Sequence, residues 1–151
     1  MSLQQSATRQ YSTFRVGDMF MGIELSRVQE LLRHQEMTSV PLAAREIEGL
    51  INLRGQIVTA INLRQQLHLP ARQGGELPMN VVIRRDDGPI SLLVDEIGDV
   101  VEVDEELFEP APHTLHSESR EFIRGVYKLK EQLLLLLDTE KTVTVVGTHP
   151  A

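Results

Sequence analysis

The chain has 151 residues, 41% of them hydrophobic and only 4% aromatic, with no tryptophan and no cysteine. A chain of this length makes one ordinary domain or two small ones and buries roughly two-thirds of its unfolded surface, so the interior must be built from Val, Ile and Leu, which favours strands. The lack of cysteine excludes a disulfide framework, a thiolate metal site and a cysteine nucleophile, and 15 Lys and Arg against 22 Asp and Glu give a net charge of -7 that disfavours nucleic acid.

Residues 1–9 are polar, lack the apolar stretch of a secretory leader and read as a disordered tail, with an ordered domain over 10–147. The longest apolar run, Leu133–Leu137, falls far short of the ~20 residues that span a bilayer. A cytoplasmic location without membrane insertion is the expectation. Residues 11–16 and 19–25 flank Gly17-Asp18, a hairpin signal. Residues 26–33 suit a helical turn by composition, but Val28, Glu30 and Leu32 alternate as in a strand, so both forms stay open. A second hairpin spans 49–63 around Leu53-Arg54-Gly55-Gln56, where Gly55 can take a positive φ and Arg54 projects from the tip. Asn62 caps a short helix over 63–69, which Pro70 and the polar linker 71–78 close. A third hairpin joins 81–85 to 90–94 through Asp86-Asp87-Gly88-Pro89; a strand follows over 100–103, and 110–120 is a second polar loop.

The two halves align with each other. Residues 46–67 match 122–143, pairing Gly49 with Gly125, Leu53 with Leu129, Arg54 with Lys130, Gln56 with Gln132 and the cap Asn62 with Asp138. Upstream, Ile23, Leu25, Val28 and Leu31 match Leu92, Val94, Ile97 and Val100. Any two hairpins share some alternation, so repeat and coincidence both stay open at this point. About five short strands in each half are most simply two small barrels, because closure removes exposed edges. The predicted fold is all-β, with two five-stranded barrels intertwined over about 20–80 and about 81–140, terminal segments closing them, and short helical turns after Asn62 and Asp138. Each is too small to bury much alone, so they share an apolar layer and leave an apolar groove between them. The unbroken run Leu133–Leu137 fits a strand covered on both faces.

Residues that could carry chemistry do not assemble into a catalytic or metal-binding set. His113 and His116 lie in a Pro- and Ser-rich loop rather than on a helix with further ligands. Asp86-Asp87 and Asp104-Glu105-Glu106 are flanked by turn signals, where solvated carboxylates are the rule, and no serine sits in a nucleophile elbow. No enzymatic activity, cofactor or metal is expected.

Residues 48–58, EGLINLRGQIV, resemble the signature of the CheW family, an I-x-G-[VL]-x-N-L-R-G run followed by a β-branched strand. Four further matches follow the family's order: FRVGDMFMGIEL, VQELL, LLVDEIGDVVEV, and FIRGVYKL before LLLLLD, together covering 11–146. The resemblance implies two five-stranded SH3-like barrels and a scaffold role in chemotaxis. It further implies coupling of the cytoplasmic tips of methyl-accepting chemoreceptors to the regulatory domain of a CheA-type histidine kinase, peripheral to the membrane. The receptor's helical hairpin would lie in the groove, and separate patches would meet the kinase. Carried over by motif, the partner-binding residues are Arg54, Gly49, Val28, Glu30, Ile97 and Val100, and the protein is a monomer in solution. Thr59 stands where proline is common in the family and Asn62 replaces an aspartate, which fits a divergent member, for instance in a pilus-based pathway. A stand-alone SH3-like peptide-binding module is the alternative.

Overall fold

The computed structural model describes residues 7–147. Ten strands are joined mainly by tight turns: β1 (Thr8–Val16), β2 (Met19–Glu24), β3 (Val28–Leu32), β4 (Ile47–Leu53), β5 (Gln56–Asn62), β6 (Met79–Ile83), β7 (Ile90–Val94), β8 (Glu96–Asp104), β9 (Ile123–Lys128) and β10 (Leu133–Leu137). Helices α1 (Leu63–Gln66), α2 (Ser117–Arg120) and α3 (Thr139–Gly147) are short. All three predicted hairpins form. The open segment after β2 resolves into a 3-10 turn, Leu25–Arg27, followed by strand β3.

Other boundaries move for local reasons. Helix α1 ends at Gln66 instead of residue 69, because His68 takes φ +60 and the Leu69 and His68 amides turn back to the carbonyls of Arg64 (2.8 Å) and Gln65 (3.2 Å). Strand β8 runs nine residues, longer than the expected 100–103, since pairing with β1 extends it from Glu96 to Asp104. The polar loop 110–120 contains α2. Residues 1–6 of the expected tail lie outside the described residues, whereas Thr8 and Arg9 are ordered as partners of Asp104 and Val103.

The strands form two five-stranded sheets, in the orders β3-β6-β7-β5-β4 and β8-β1-β2-β10-β9. Read side by side, β3 corresponds to β8, β6 to β1, β7 to β2, β5 to β10 and β4 to β9. The register repeats as well. Gly49 lies opposite Ala60 as Gly125 lies opposite Leu136, and the parallel pair Thr59 and Ile90 recurs as Leu135 and Met21. A register irregularity falls between Ile47 and Gly49 in β4 and opposite the equivalent step in β9 and β10. The two subdomains therefore share one topology, with β1 and β2 at the start of the chain filling the places that follow α3. This membership differs from the expected division near residue 80: β6 and β7 pair with β3 and β5, so the first subdomain is contiguous from Val28 to Val94.

A single apolar layer joins the subdomains. Ile61, Leu63, Leu67, Ile83 and Leu92 of the first pack in one cluster with Phe14, Met21, Ile23, Leu135 and Leu137 of the second. Alternate residues of β10, Leu134 and Leu136, face a separate cluster with Tyr11, Val103 and Tyr127, which explains why this strand needs no polar residue. Both helical turns are capped as the sequence implies: Asn62 Oδ1 accepts from the Gln65 amide (3.2 Å) and Asp138 Oδ1 from the Lys141 amide (3.1 Å).

Candidate functional site

The segment Asn52-Leu53-Arg54-Gly55 makes the tightest connection in the first subdomain, and each residue has a distinct task. Leu53 is buried, Asn52 Oδ1 accepts the Gly55 amide at 2.9 Å, and Arg54 and Gly55 take φ of +51 and +87. Two successive positive values define the mirror-image turn whose twist matches that of paired strands. The arginine is thereby presented from a rigid tip, largely exposed. Its Nη2 donates to Oε2 of Glu30 on β3, and this contact raises the Arg54 pKa above its ordinary value. Two of the predicted residues thus meet directly.

The others are placed differently. Val28 is half-buried at the start of β3, where it packs on the shared layer and lines a cleft with Arg9, Glu24 and Arg84. Gly49 is buried, and a Cβ there would lie 2.7 Å from the Thr38 carbonyl oxygen, so it permits a close crossing of backbone and offers no contact surface. Ile97 and Val100 lie on β8 in the other sheet, Ile97 half-buried against the shared layer and Val100 exposed. By the internal repeat, Val28, Glu30 and Leu31 on edge strand β3 correspond to Ile97, Asp99 and Val100 on edge strand β8. Leu31 and Val100 are both exposed, as is Ile57 beyond the Arg54 turn.

The clefts at the joint mix charged and apolar lining residues. One, of about 660 Å³, runs between the β6–β7 hairpin and α3, where Arg27, Arg84, Arg85, Asp86, Asp87 and Glu140 border it together with Ile83 and Val143. Leu135, Leu137, Ile61 and Ile83 pack together in the layer that joins the subdomains. His113 and His116 are exposed in their loop, and among the described residues no three His, Cys, Asp or Glu side chains gather as they would around a metal ion.

Sequence reasoning missed one polar cluster. Asp95, the single residue between β7 and β8, accepts both prongs of Arg64 (Nε 3.0 Å, Nη2 2.7 Å), two bonds from Arg72 (2.9 and 3.3 Å) and the Gly17 amide (2.7 Å). Partial burial pushes the Asp95 carboxyl up, but the bonds from Arg64, Gly17 and Arg72 outweigh it and hold the pKa at about 2. The available signal was an acid directly after the strand pattern 90–94 with no Gly, Pro or Asn next to it.

The CheW-like domain family matches residues 10–146 of this chain. The chain belongs to that family. A CheW-like relative, the chemotaxis protein CheW of Treponema pallidum (strain Nichols), is 30% identical over 136 residues, covering 87% of this chain and 80% of its own length. That of Klebsiella aerogenes is 29% identical over 143 residues, with coverage of 93% and 84%. The crystal structure of the scaffolding protein TtCheW from Thermoanaerobacter tengcongensis superposes with a TM-score of 0.77 at 23% identity, over 87% of this chain and 89% of that one. The two CheW-like subdomains are accordingly SH3-like, and no helix among the described residues is long and apolar enough to cross a membrane.

Proposed function

We propose that this CheW-like chain is a non-catalytic adaptor that couples the cytoplasmic tips of chemoreceptors to a CheA-type histidine kinase in chemotaxis. The observation that carries the reading is the Arg54 turn: a charged group held on a rigid tip, braced by Glu30 and bordered by exposed Leu31 and Ile57. Arginine beside apolar surface is the composition of a binding hot spot, and the bracing lowers the ordering cost on association. Val100 supplies exposed apolar surface on the second subdomain, so a partner lying across both would meet Arg54 on one side and Val100 on the other. Bridging two partners raises their effective concentration for each other, which is a function a scaffold performs without chemistry. A peptide-binding module is less well supported, because Tyr11 and Tyr127 are buried and Phe108 alone of their cluster is exposed, a small aromatic surface for prolines.

Arg54→Glu sets like charges together at the tip and leaves the core untouched. Capture of the kinase regulatory domain or of a receptor tip should fall by about 30-fold or more, the size of a lost hot spot. The melting curve should hardly move, because an exposed ion pair is worth little. Undiminished capture of both partners by the folded variant would remove Arg54 from the contact surface.

A further inference from the structure

The chain passes from the first subdomain to the second through Asp95 alone, between Val94 at the end of β7 and Glu96 at the start of β8. Both arginines on its carboxylate, Arg64 and Arg72, belong to the first subdomain, while the Gly17 amide and the Arg15 carbonyl that accepts the Asp95 amide (2.9 Å) belong to the second. The side chains are 22% exposed for Asp95, 16% for Arg64 and 12% for Arg72, so water competes weakly for these bonds. Arg64 is fixed in turn by its Nη1 on the Pro70 carbonyl (2.7 Å). The apolar layer between the subdomains is non-directional and sets how much surface they share, whereas forked charge-assisted hydrogen bonds have a required geometry and can set their angle.

We infer that Asp95 is a positioning residue for partner recognition: it locks the angle between the subdomains and so spaces β8, with Ile97 and Val100, against β3 and the Arg54 turn. The inference rests on the reading above that one partner lies across both subdomains. A receptor tip spanning the joint depends on the lock, and a kinase domain seated on one subdomain does not.

The full chain has no cysteine, so Ser39→Cys and Lys130→Cys place one nitroxide on each subdomain, and the distribution of distances between them reports the angle. Asp95→Asn removes the shared charge. Arg72→Gln is the milder variant and leaves the Arg64 fork in place. Both should broaden the distribution while strand amides keep their protection from exchange. Affinity for a receptor tip should fall about ten-fold and that for the kinase regulatory domain by less than about two-fold. An unchanged distribution in both variants overturns the lock, and an equal loss of both partners overturns the positioning role in favour of a purely structural one. Should the parent protein bind neither partner, the proposed function fails by itself, and a broadened distribution still supports the lock.

Discussion

Leu42, Arg54 and His68 hold φ of +66, +51 and +60, where glycine is the usual occupant and a side chain costs about 1–2 kcal/mol. Leu42 follows Pro41 in a turn closed by the Ala43 amide on the Val40 carbonyl (3.3 Å), the position of a type II turn that calls for glycine, and its side chain is fully exposed. His68 stands at the glycine position after helix α1. Arg54 differs in having a partner, Glu30. Glycine at each site should therefore raise stability by about 1 kcal/mol, a shift of about 2–4 °C in melting temperature at this chain length. Leu42→Gly and His68→Gly should leave partner capture unchanged, whereas Arg54→Gly should abolish it, because strain retained at a functional site is exchanged for activity. Calorimetry beside pull-down separates the three, and a stable Arg54→Gly that still captures both partners would show that the strain serves no contact.

At the scale of elements, the repeated glycines mark where one strand is crossed by a segment that belongs to no sheet. Thr38 bridges to Leu50 through two backbone bonds (2.9 and 2.8 Å), and Glu109 bridges to Val126 in the same way (2.9 and 2.8 Å), each covering the outer edge of its subdomain's last strand. A Cβ at Gly49 would meet the Thr38 oxygen at 2.7 Å and one at Gly125 the Glu109 oxygen at 2.6 Å, so neither neighbour can yield without losing the bridge. Gly49→Ala should cost about 2–3 kcal/mol, while Gly75→Ala, with nothing within 4 Å, should stay within about 0.5 kcal/mol. Urea midpoints of the two variants test this, and equal midpoints would refute the crossing role. The glycines and hairpins were legible because turn chemistry and period-two alternation are local. The bridging segments, Thr38 and Glu109, were not, since a single bridge has no period to read.

At the scale of the molecule, the repeat in the sequence proved to be a repeat of pairing, and Glu30 and Arg54, named from motif alone, lie in contact. The joint escaped, because Asp95, Arg64, Arg72 and Gly17 are scattered along the chain and converge only when the subdomains dock. Their convergence has a consequence in acid. The Asp95 carboxyl has a pKa of about 2 in the folded protein against an ordinary 3.8, so between these values the unfolded chain binds more protons and stability rises with pH. The contribution is complete above about pH 5 and fades as pH falls toward about 2. Allowing for solvent screening at a group 22% exposed, it amounts to about 1 kcal/mol. Asp95→Asn carries no charge to lose, so urea unfolding at pH 7 and at pH 3 should show a difference between parent and variant that narrows by about half that amount at the lower pH. A difference that is the same at both pH values would mean that the carboxylate is not held by its arginines in solution, and that the apolar layer alone sets the joint.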